Sequence, residues 1–304
     1  MSIVVQQLTK IYGKQKAIDN LSFEIKTGEI VGFLGPNGAG KTTTMKILTG
    51  YIPPTQGSAF VNNLNVEEQA MEVRKQIGYL PEHNPLYTDM YVKEYLHFTA
   101  SAYHLKNASN RVKEMIEITG LQVEQHKKIG QLSKGYRQRV GLAQAMIHQP
   151  KVLILDEPTS GLDPNQIVEI RNLISTIGKD KTVILSTHIM QEVEAMCNRV
   201  MIINKGKIVA NGKPEELKKN HNQSIQVLVT FNKTLTQNQI ETLNKIGEIT
   251  ALPNGTTFNI QGQDEENIKT QIFNFAVANQ LILNEVTVNQ NSLEDIFKQV
   301  TQKK

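Results

Sequence analysis

EIVGFLGPNGAGKTTTMKILTG, residues 29–50, decides how the chain must be read. It opens with the apolar run EIVGFLG (29–35), which ends in glycine as a buried strand does. It closes with TTTMKILTG (42–50), which reads as a helix stopped at Gly50. Between them, Gly35, Pro36, Asn37, Gly38, Ala39, Gly40, Lys41, Thr42 and Thr43 satisfy G-x-x-x-x-G-K-[ST] at every position. The glycines allow the backbone to turn its N–H groups inward without a Cβ in the way of phosphates. The helix that follows points its positive end at the same place. In this pattern Lys41 reaches the β- and γ-phosphates, and the Thr42 hydroxyl is the expected Mg²⁺ ligand. The alternative is a glycine-rich turn that binds nothing, and the flanking strand and helix weigh against it.

Three further stretches carry polar groups to the ends of apolar runs. KVLILDEP (151–158) is a buried strand that delivers Asp156, placed to hold Mg²⁺ through water. Glu157 comes next and points elsewhere, because side chains alternate at a strand end, which leaves it free to take a proton from an attacking water. The other reading of this pair is two carboxylates capping the turn before Pro158. TVILSTH (182–188) ends in His188. A lone histidine is more often structural, but one at the end of a neighbouring parallel strand reaches a γ-phosphate and senses it. In LSKGYRQRVGLAQAMIHQP (132–150), Ser133 reads as an N-cap and a helix runs from Tyr136, with apolar residues at Val140, Leu142, Ala143 and Met146. An ordinary capped helix accounts for Ser133 but not for Gly135. A Ser-x-Gly helix start also makes an anion site.

The rest of the chain supplies the frame. IVVQQL (3–8) and LSFEI (21–25) read as antiparallel strands, with TKIYGKQKAIDN between them as a turn. Residues 92–120 show apolar spacing of helical period. Strands alternating with helices such as PNQIVEIRNLISTIG argue for a parallel sheet with helices packed on it. Composition shifts near Lys218 towards Asn and Gln. From there the order strand–helix–strand–strand–helix–strand predicts a ferredoxin-like domain, with a turn at Asn254-Gly255 and a last helix capped by Ser292. The expected domains are therefore 1–220, with a helical subdomain over about 90–150, and 221–304.

The bulk numbers narrow the class of function. Lys and Arg number 33 against 29 Asp and Glu, and this scattered excess of +4 does not argue for a nucleic-acid partner. The single cysteine, Cys197, excludes an intrachain disulfide and fits a reducing compartment. The start, MSIVVQQLTK, lacks the basic-then-apolar pattern of a signal peptide. Apolar runs such as VLIL (152–155) are far shorter than the ~20 residues of a membrane helix, so a membrane role has to come through a partner.

Taken in order, these motifs resemble those of the nucleotide-binding subunit of an ABC transporter, over roughly residues 2–220. The resemblance implies an α/β P-loop fold of ABC type, with a mixed sheet core, an antiparallel β subdomain and a helical subdomain, followed here by a small α+β domain. It implies ATP and Mg²⁺ as cofactors and Glu157 and His188 as the catalytic pair. Tyr12, in IYGKQKAI, would stack on adenine; otherwise it is a half-buried turn aromatic. Ser133 and Gly135 would contact the γ-phosphate of ATP held by a second copy, and Asp163, in SGLDP, the opposite phosphate loop. In the family two copies close head-to-tail over two ATPs and drive an integral membrane permease from the cytoplasmic face. Two departures stand out. Lys134 and Tyr136 replace a glycine and the glutamine of the usual LSGGQ, and Glu82 stands where glutamine is usual, keeping an oxygen for Mg²⁺ while adding negative charge. IGYLPEHNPLYTDMYVKEYL, LSKGYRQRVGLAQAMIHQP and STHIMQEVEAM together are similar to a branch associated with gliding motility, and SLEDIF resembles tails of the ABC-2 export branch. The alternatives are the same ATPase in an ABC-2 type exporter of drug, lipid or polysaccharide and, from another class, a soluble ATP switch acting on ribosomes or nucleic acid. Relatives of that kind usually carry two cassettes, and this chain has one. For residues 221–304 a ligand sensor, a dimer brace, a docking module and a packing domain all remain open.

Overall fold

Both faces of the central sheet are covered, which is why its strands are unbroken apolar runs. The computed structural model describes residues 1–221, 225–262, 264–289 and 292–302. Ser224 and Gln290, the outer ends of two strands expected from the sequence, lie outside the described residues. The chain divides into two units, Met1–Pro214 and Glu215–Lys304. In the first, the sheet order is β10 (Lys207–Gly212), β9 (Arg199–Asn204), β3 (Ile30–Leu34), β8 (Thr182–Thr187), β7 (Val152–Asp156), β6 (Ile77–Leu80). All neighbours run parallel except the edge pair β9–β10. Alternation sorts the side chains of β7 and β8. Leu153, Leu155, Val183 and Leu185 join the core under α3 (Val92–Ala102), α4 (Ala108–Ile118), α5 (Lys134–Met146) and α6 (Pro164–Ile177). Val152, Ile154 and Ile184 join the opposite core with Met45 and Leu48 of α1 (Lys41–Leu48). That second core is closed by an antiparallel sheet in the order β2 (Gln15–Ile25), β1 (Ile3–Tyr12), β4 (Gln56–Val61), β5 (Leu64–Asn65). Helices α2 (Ala70–Gln76) and α7 (Met190–Met196) complete the first unit, and α8 (Pro214–His221) starts at its last residue and continues into the second.

Two expectations are corrected, at residues 9–20 and at the start of α5. Residues 9–20 are not a turn: β1 and β2 run through them, and only Gly13 and Lys14 turn. The register shifts at Val5/Leu8, Leu8/Lys10 and Lys10/Ile11, so bulges absorb residues and erase the period-2 pattern that would have marked the strands. The helical spacing over residues 92–120 is borne out by two helices, α3 and α4, with His104 at φ 54 in the break between them. Helix α5 begins at Lys134, two residues before the expected start, because Ser133 Oγ accepts from the Tyr136 N–H at 3.3 Å and so caps the turn between them.

The second unit contains β11 (Ile225–Phe231), α9 (Gln237–Leu243), β12 (Glu248–Ala251), β13 (Thr257–Gly262), α10 (Glu265–Ala278), β14 (Leu283–Asn289) and α11 (Leu293–Gln302). Its sheet order is β12-β13-β11-β14, antiparallel throughout, which is the ferredoxin-like arrangement. One face buries Val227, Val229, Phe231, Phe258 and Ile260 against Ile272 and Phe275 of α10. The Phe231 ring meets Phe258 at 6.0 Å and Phe275 at 5.8 Å. Ser292 and Asp295 cap α11 reciprocally: the Ser292 N–H donates to Oδ2 at 3.0 Å and the Asp295 N–H to Oγ at 3.2 Å.

Candidate functional site

The loop from β3 to α1 owes two of its glycines to packing. A Cβ on Gly35 would stand 2.5 Å from the Ile203 carbonyl oxygen, and one on Gly40 would stand 2.6 Å from that of Ala17. Gly40 also has φ 110, outside what an L side chain adopts without strain. Gly38, at φ 78, has nothing within 4 Å, so it alone of the three keeps an open face. The loop is tied down by Ala39, whose N–H donates to Pro36 O at 3.1 Å and whose carbonyl accepts from Gly206 N at 2.9 Å. Gly40→Ala is therefore expected to cost ~2 kcal/mol or more, and Gly38→Ala ~1 kcal/mol, since only the first adds a backbone clash to left-handed strain. Denaturant titration of both variants checks this, and equal stabilities would refute the packing account.

The loop floors a cleft of about 530 Å³. Asn37, Gly38, Gly40, Lys41, Thr42 and Thr43 line it from the loop side, and Tyr12, Glu82, Glu157 and His188 from the others. Tyr12 is half exposed at the end of β1, with the Lys10 ammonium 5.4 Å from its ring centroid. Lys41 is buried, and Nζ donates to the carbonyl oxygens of Gly35 at 2.8 Å and Pro36 at 3.4 Å. It also lies 3.4 Å from Glu157 Oε1.

The carboxylates at the end of β7 serve two neighbouring clefts: Glu157 lines this one and Asp156 the one beside it. Asp156 Oδ1 accepts from Thr42 Oγ1 at 3.3 Å and from the Ser186 hydroxyl of β8. Asp156 Oδ2 is buried and has no partner. Glu157 sits at φ 48 just past the strand, its N–H donating to Ser186 O and Oγ, each at 3.1 Å. Its carboxylate, read from the sequence as a proton acceptor for water, is held between Lys41 and His188, whose Nδ1 donates to Oε2 at 2.9 Å. A buried carboxylate without such partners would carry a desolvation cost of several kcal/mol. His188 thus faces Glu157 in this structure. Glu192 of α7 is fully buried and accepts from the hydroxyls of Thr159 and Thr187, with Arg171 3.9 Å away. Ser186 and Glu192 were not singled out from the sequence; for Ser186 the available signal was the polar pair closing the otherwise apolar VILST.

Thr42 Oγ1 and Asp156 Oδ2 are the hard oxygens available to a divalent cation. No group of three or more His, Cys, Asp or Glu that could hold a metal occurs among the described residues. A cation here would take its remaining ligands from phosphate oxygens and water, as Mg²⁺ readily does.

Ser133, Gly135 and Asp163 do not line this cleft. Gly135 and Asp163 line a separate one of about 280 Å³, with Tyr136, Arg139, Gln166 and Glu169. Gly135 is buried beneath Gln166, whose Cδ would lie 2.7 Å from a Cβ there. Asp163 caps α6, accepting from Gln166 N at 2.9 Å. Arg139 donates to Glu169 at 2.6 Å and to Thr119 O at 2.8 Å, and its guanidinium stands 5.9 Å from the Tyr136 ring centroid.

The family model described as ABC transporter matches residues 18–160, and one described as an AAA domain matches residues 128–194. The bacitracin transport ATP-binding protein BcrA of Bacillus licheniformis is 40% identical over 232 residues, which span 74% of this chain and 75% of that one. The ABC transporter ATP-binding protein YhcH of Bacillus subtilis is 34% identical over 302 residues, 98% of this chain and 95% of that one. The Nod factor export ATP-binding protein I of Cupriavidus metallidurans is 36% identical over 220 residues, 70% of this chain and 71% of that one. Among solved structures, an ATP-binding subunit of an ABC transporter superposes with a TM-score of 0.66 at 29% identity, covering 72% of this chain and 93% of that one. The dimeric bacterial ABC transporter cassette MJ0796 gives 0.64 at 25% identity, covering 69% and 98%.

Proposed function

Since the chain belongs to the ABC transporter ATP-binding family, we propose that it is the ATP-hydrolysing subunit of an exporter whose membrane-spanning part is another polypeptide. No helix among the described residues is long and apolar enough to cross a membrane, so on this reading the energy of ATP is delivered to a permease at the cytoplasmic face. Relatives named for bacitracin transport and Nod factor export support an export role. The narrower expectation of gliding motility rests on the resemblance of a few stretches. It would be favoured if deletion of the gene abolished gliding and left export of small compounds intact.

The observation that carries the reading is a separation on one chain: Lys41 and Thr42 line one cleft, while Gly135 and Asp163, which the resemblance sets against a second copy's ATP and phosphate loop, line another. Two copies related head-to-tail would bring each to its complement, closing over two ATPs. In each composite site Tyr12 would stack on adenine, Gly38 and the first turn of α1 would receive the phosphates, and Lys41 would exchange Glu157 for the γ-phosphate. A Mg²⁺ held by Thr42 and Asp156, with Glu82 within reach through water, would neutralise charge building on the phosphates. Glu157 then takes the proton of the attacking water while that water bonds to the γ-phosphorus and ADP departs. His188 orients the Glu157 carboxylate. Closing moves the segment around residues 79–100, and reopening follows hydrolysis.

The direct test is mass. A hydrolysis-deficient chain with Glu157→Gln is expected to double its molecular mass in light scattering with Mg·ATP, and to remain a monomer without nucleotide. A monomer under both conditions, with ATP bound, would remove the head-to-tail arrangement. Salt-sensitive recovery of RNA instead of a membrane protein from cell extracts would favour the soluble switch.

A further inference from the structure

We propose that the Tyr79 hydroxyl is a positioning group that holds the water accompanying a cation at Asp156. This rests on the nucleotide and metal reading above. Beside the phosphate-loop cleft, and sharing Thr42 and Glu82 with it, lies a second cleft of about 470 Å³. Tyr51, Tyr79, Gln144 and Asp156 are among its walls. Register explains why Tyr79 and Asp156 meet there. Tyr79 of β6 pairs with Ile154 of β7, and Asp156 is two residues further along β7, hence on the same face. A tyrosine leaning along its strand carries its hydroxyl towards that carboxylate.

The observation that calls for an explanation is a pair of orphans. Tyr79 Oη and Asp156 Oδ2 are both buried, and neither has a hydrogen-bond partner. Buried polar atoms are nearly always satisfied, and unsatisfied ones point to water or an ion. Both residues line one cleft, which has room for a guest that serves the two. A carboxylate only accepts, so the guest must donate to it or coordinate it, which a water or a hydrated cation does. Of the other polar atoms on these walls, Gln144 Oε1 accepts from Tyr95 Oη at 2.7 Å, Asn84 Nδ2 donates to Arg137 O at 3.4 Å and Thr42 Oγ1 faces Asp156 Oδ1, while Tyr51 and Glu82 also line the cleft. Burial first, and then the negative charge of Asp156, push the Tyr79 hydroxyl well above the usual tyrosine range, so it keeps its proton. It therefore acts as a neutral partner to a metal-bound water, as outer-sphere groups do around hydrated cations.

The test compares three full-length chains: wild type, Tyr79→Phe and Asp156→Asn. For each, affinity for a fluorescent ATP analogue is measured in EDTA and again with Mg²⁺, and the gain on adding the metal is the readout. Tyr79→Phe is expected to cut that gain about 10-fold, the lower end of what outer-sphere partners contribute, with affinity in EDTA unchanged. If Asp156→Asn loses the gain while Tyr79→Phe keeps it, the Tyr79 inference fails and the metal reading stands. If Asp156→Asn also keeps the gain, the metal reading itself falls. If Tyr79→Phe weakens binding equally in EDTA, the tyrosine only packs the wall and the inference is overturned.

Discussion

Glu157→Gln is expected to retain ATP and to lose hydrolysis by about 10²–10⁴-fold, the usual contribution of a general base. The side chain is buried, held between Lys41 at 3.4 Å and His188 at 2.9 Å, so glutamine inherits a formed pocket rather than an open one. It keeps the volume and an oxygen for His188, but it has no basic carboxylate to receive a proton. Binding should not suffer. The carboxylate competes with phosphate for the Lys41 ammonium and adds negative charge where the γ-phosphate must sit. Neutralising it removes both penalties, so the apparent affinity for ATP should rise. Phosphate release at saturating Mg·ATP, alongside equilibrium ATP binding, checks both halves. Turnover within about threefold of wild type would remove Glu157 from the role of base.

The phosphate loop was legible because its chemistry leaves few residues to choose from. Lys41, Thr42 and the glycines are fixed by charge, hydroxyl and backbone, and the strand and helix beside them have strong periodicity. Their physical reasons were only partly legible. From the sequence, all three glycines looked like clearance for phosphate, yet Gly35 and Gly40 stand against the carbonyls of Ile203 and Ala17, which come from strands distant in the chain. The engagement of Glu157 was hidden for the same reason. It depends on β7 and β8 pairing with Asp156 opposite Ser186, which sets His188 beside Glu157, and no local pattern encodes that register. The long hairpin of β1 and β2 was missed because bulges break alternation, and its polar residues mimic a loop.

The second unit shows the converse case. Its strand and helix order was readable because each element is short, amphipathic and bounded by turn residues such as Asn254 and Gly255. Its role was not readable. A ferredoxin-like fold hosts many functions, and the sequence offers no cluster of reactive side chains there. Its buried set of Val227, Val229, Phe231, Phe258 and Phe275 accounts for its stability without implying a ligand. A chain ending after Asn220 that kept basal ATPase and lost its response to a membrane partner would assign this unit to regulation.

Ser133→Arg is the substitution that separates a shared site from a self-contained one. Ser133 is exposed at the start of α5 and does not line the phosphate-loop cleft. Removing its cap costs the helix ~1 kcal/mol, which α5 tolerates because Val140, Leu142, Ala143 and Met146 remain anchored in the core. ATP binding by the isolated chain should therefore be unchanged. Turnover should fall by ~10²-fold or more, because a bulky cation replaces a hydroxyl at a face that must close against the other copy's γ-phosphate. Mixing makes the prediction sharper. Lys41→Ala is expected to be inactive through its own phosphate loop, and Ser133→Arg through its partner's. In a mixed dimer, one composite site collects both lesions and the other has none. Equal mixing of the two inactive chains should then restore about a quarter of wild-type turnover, since half the dimers are mixed and each has one intact site of two. If Ser133 served the ATP of its own chain, both sites in every mixed dimer would carry a lesion, and mixing would restore nothing.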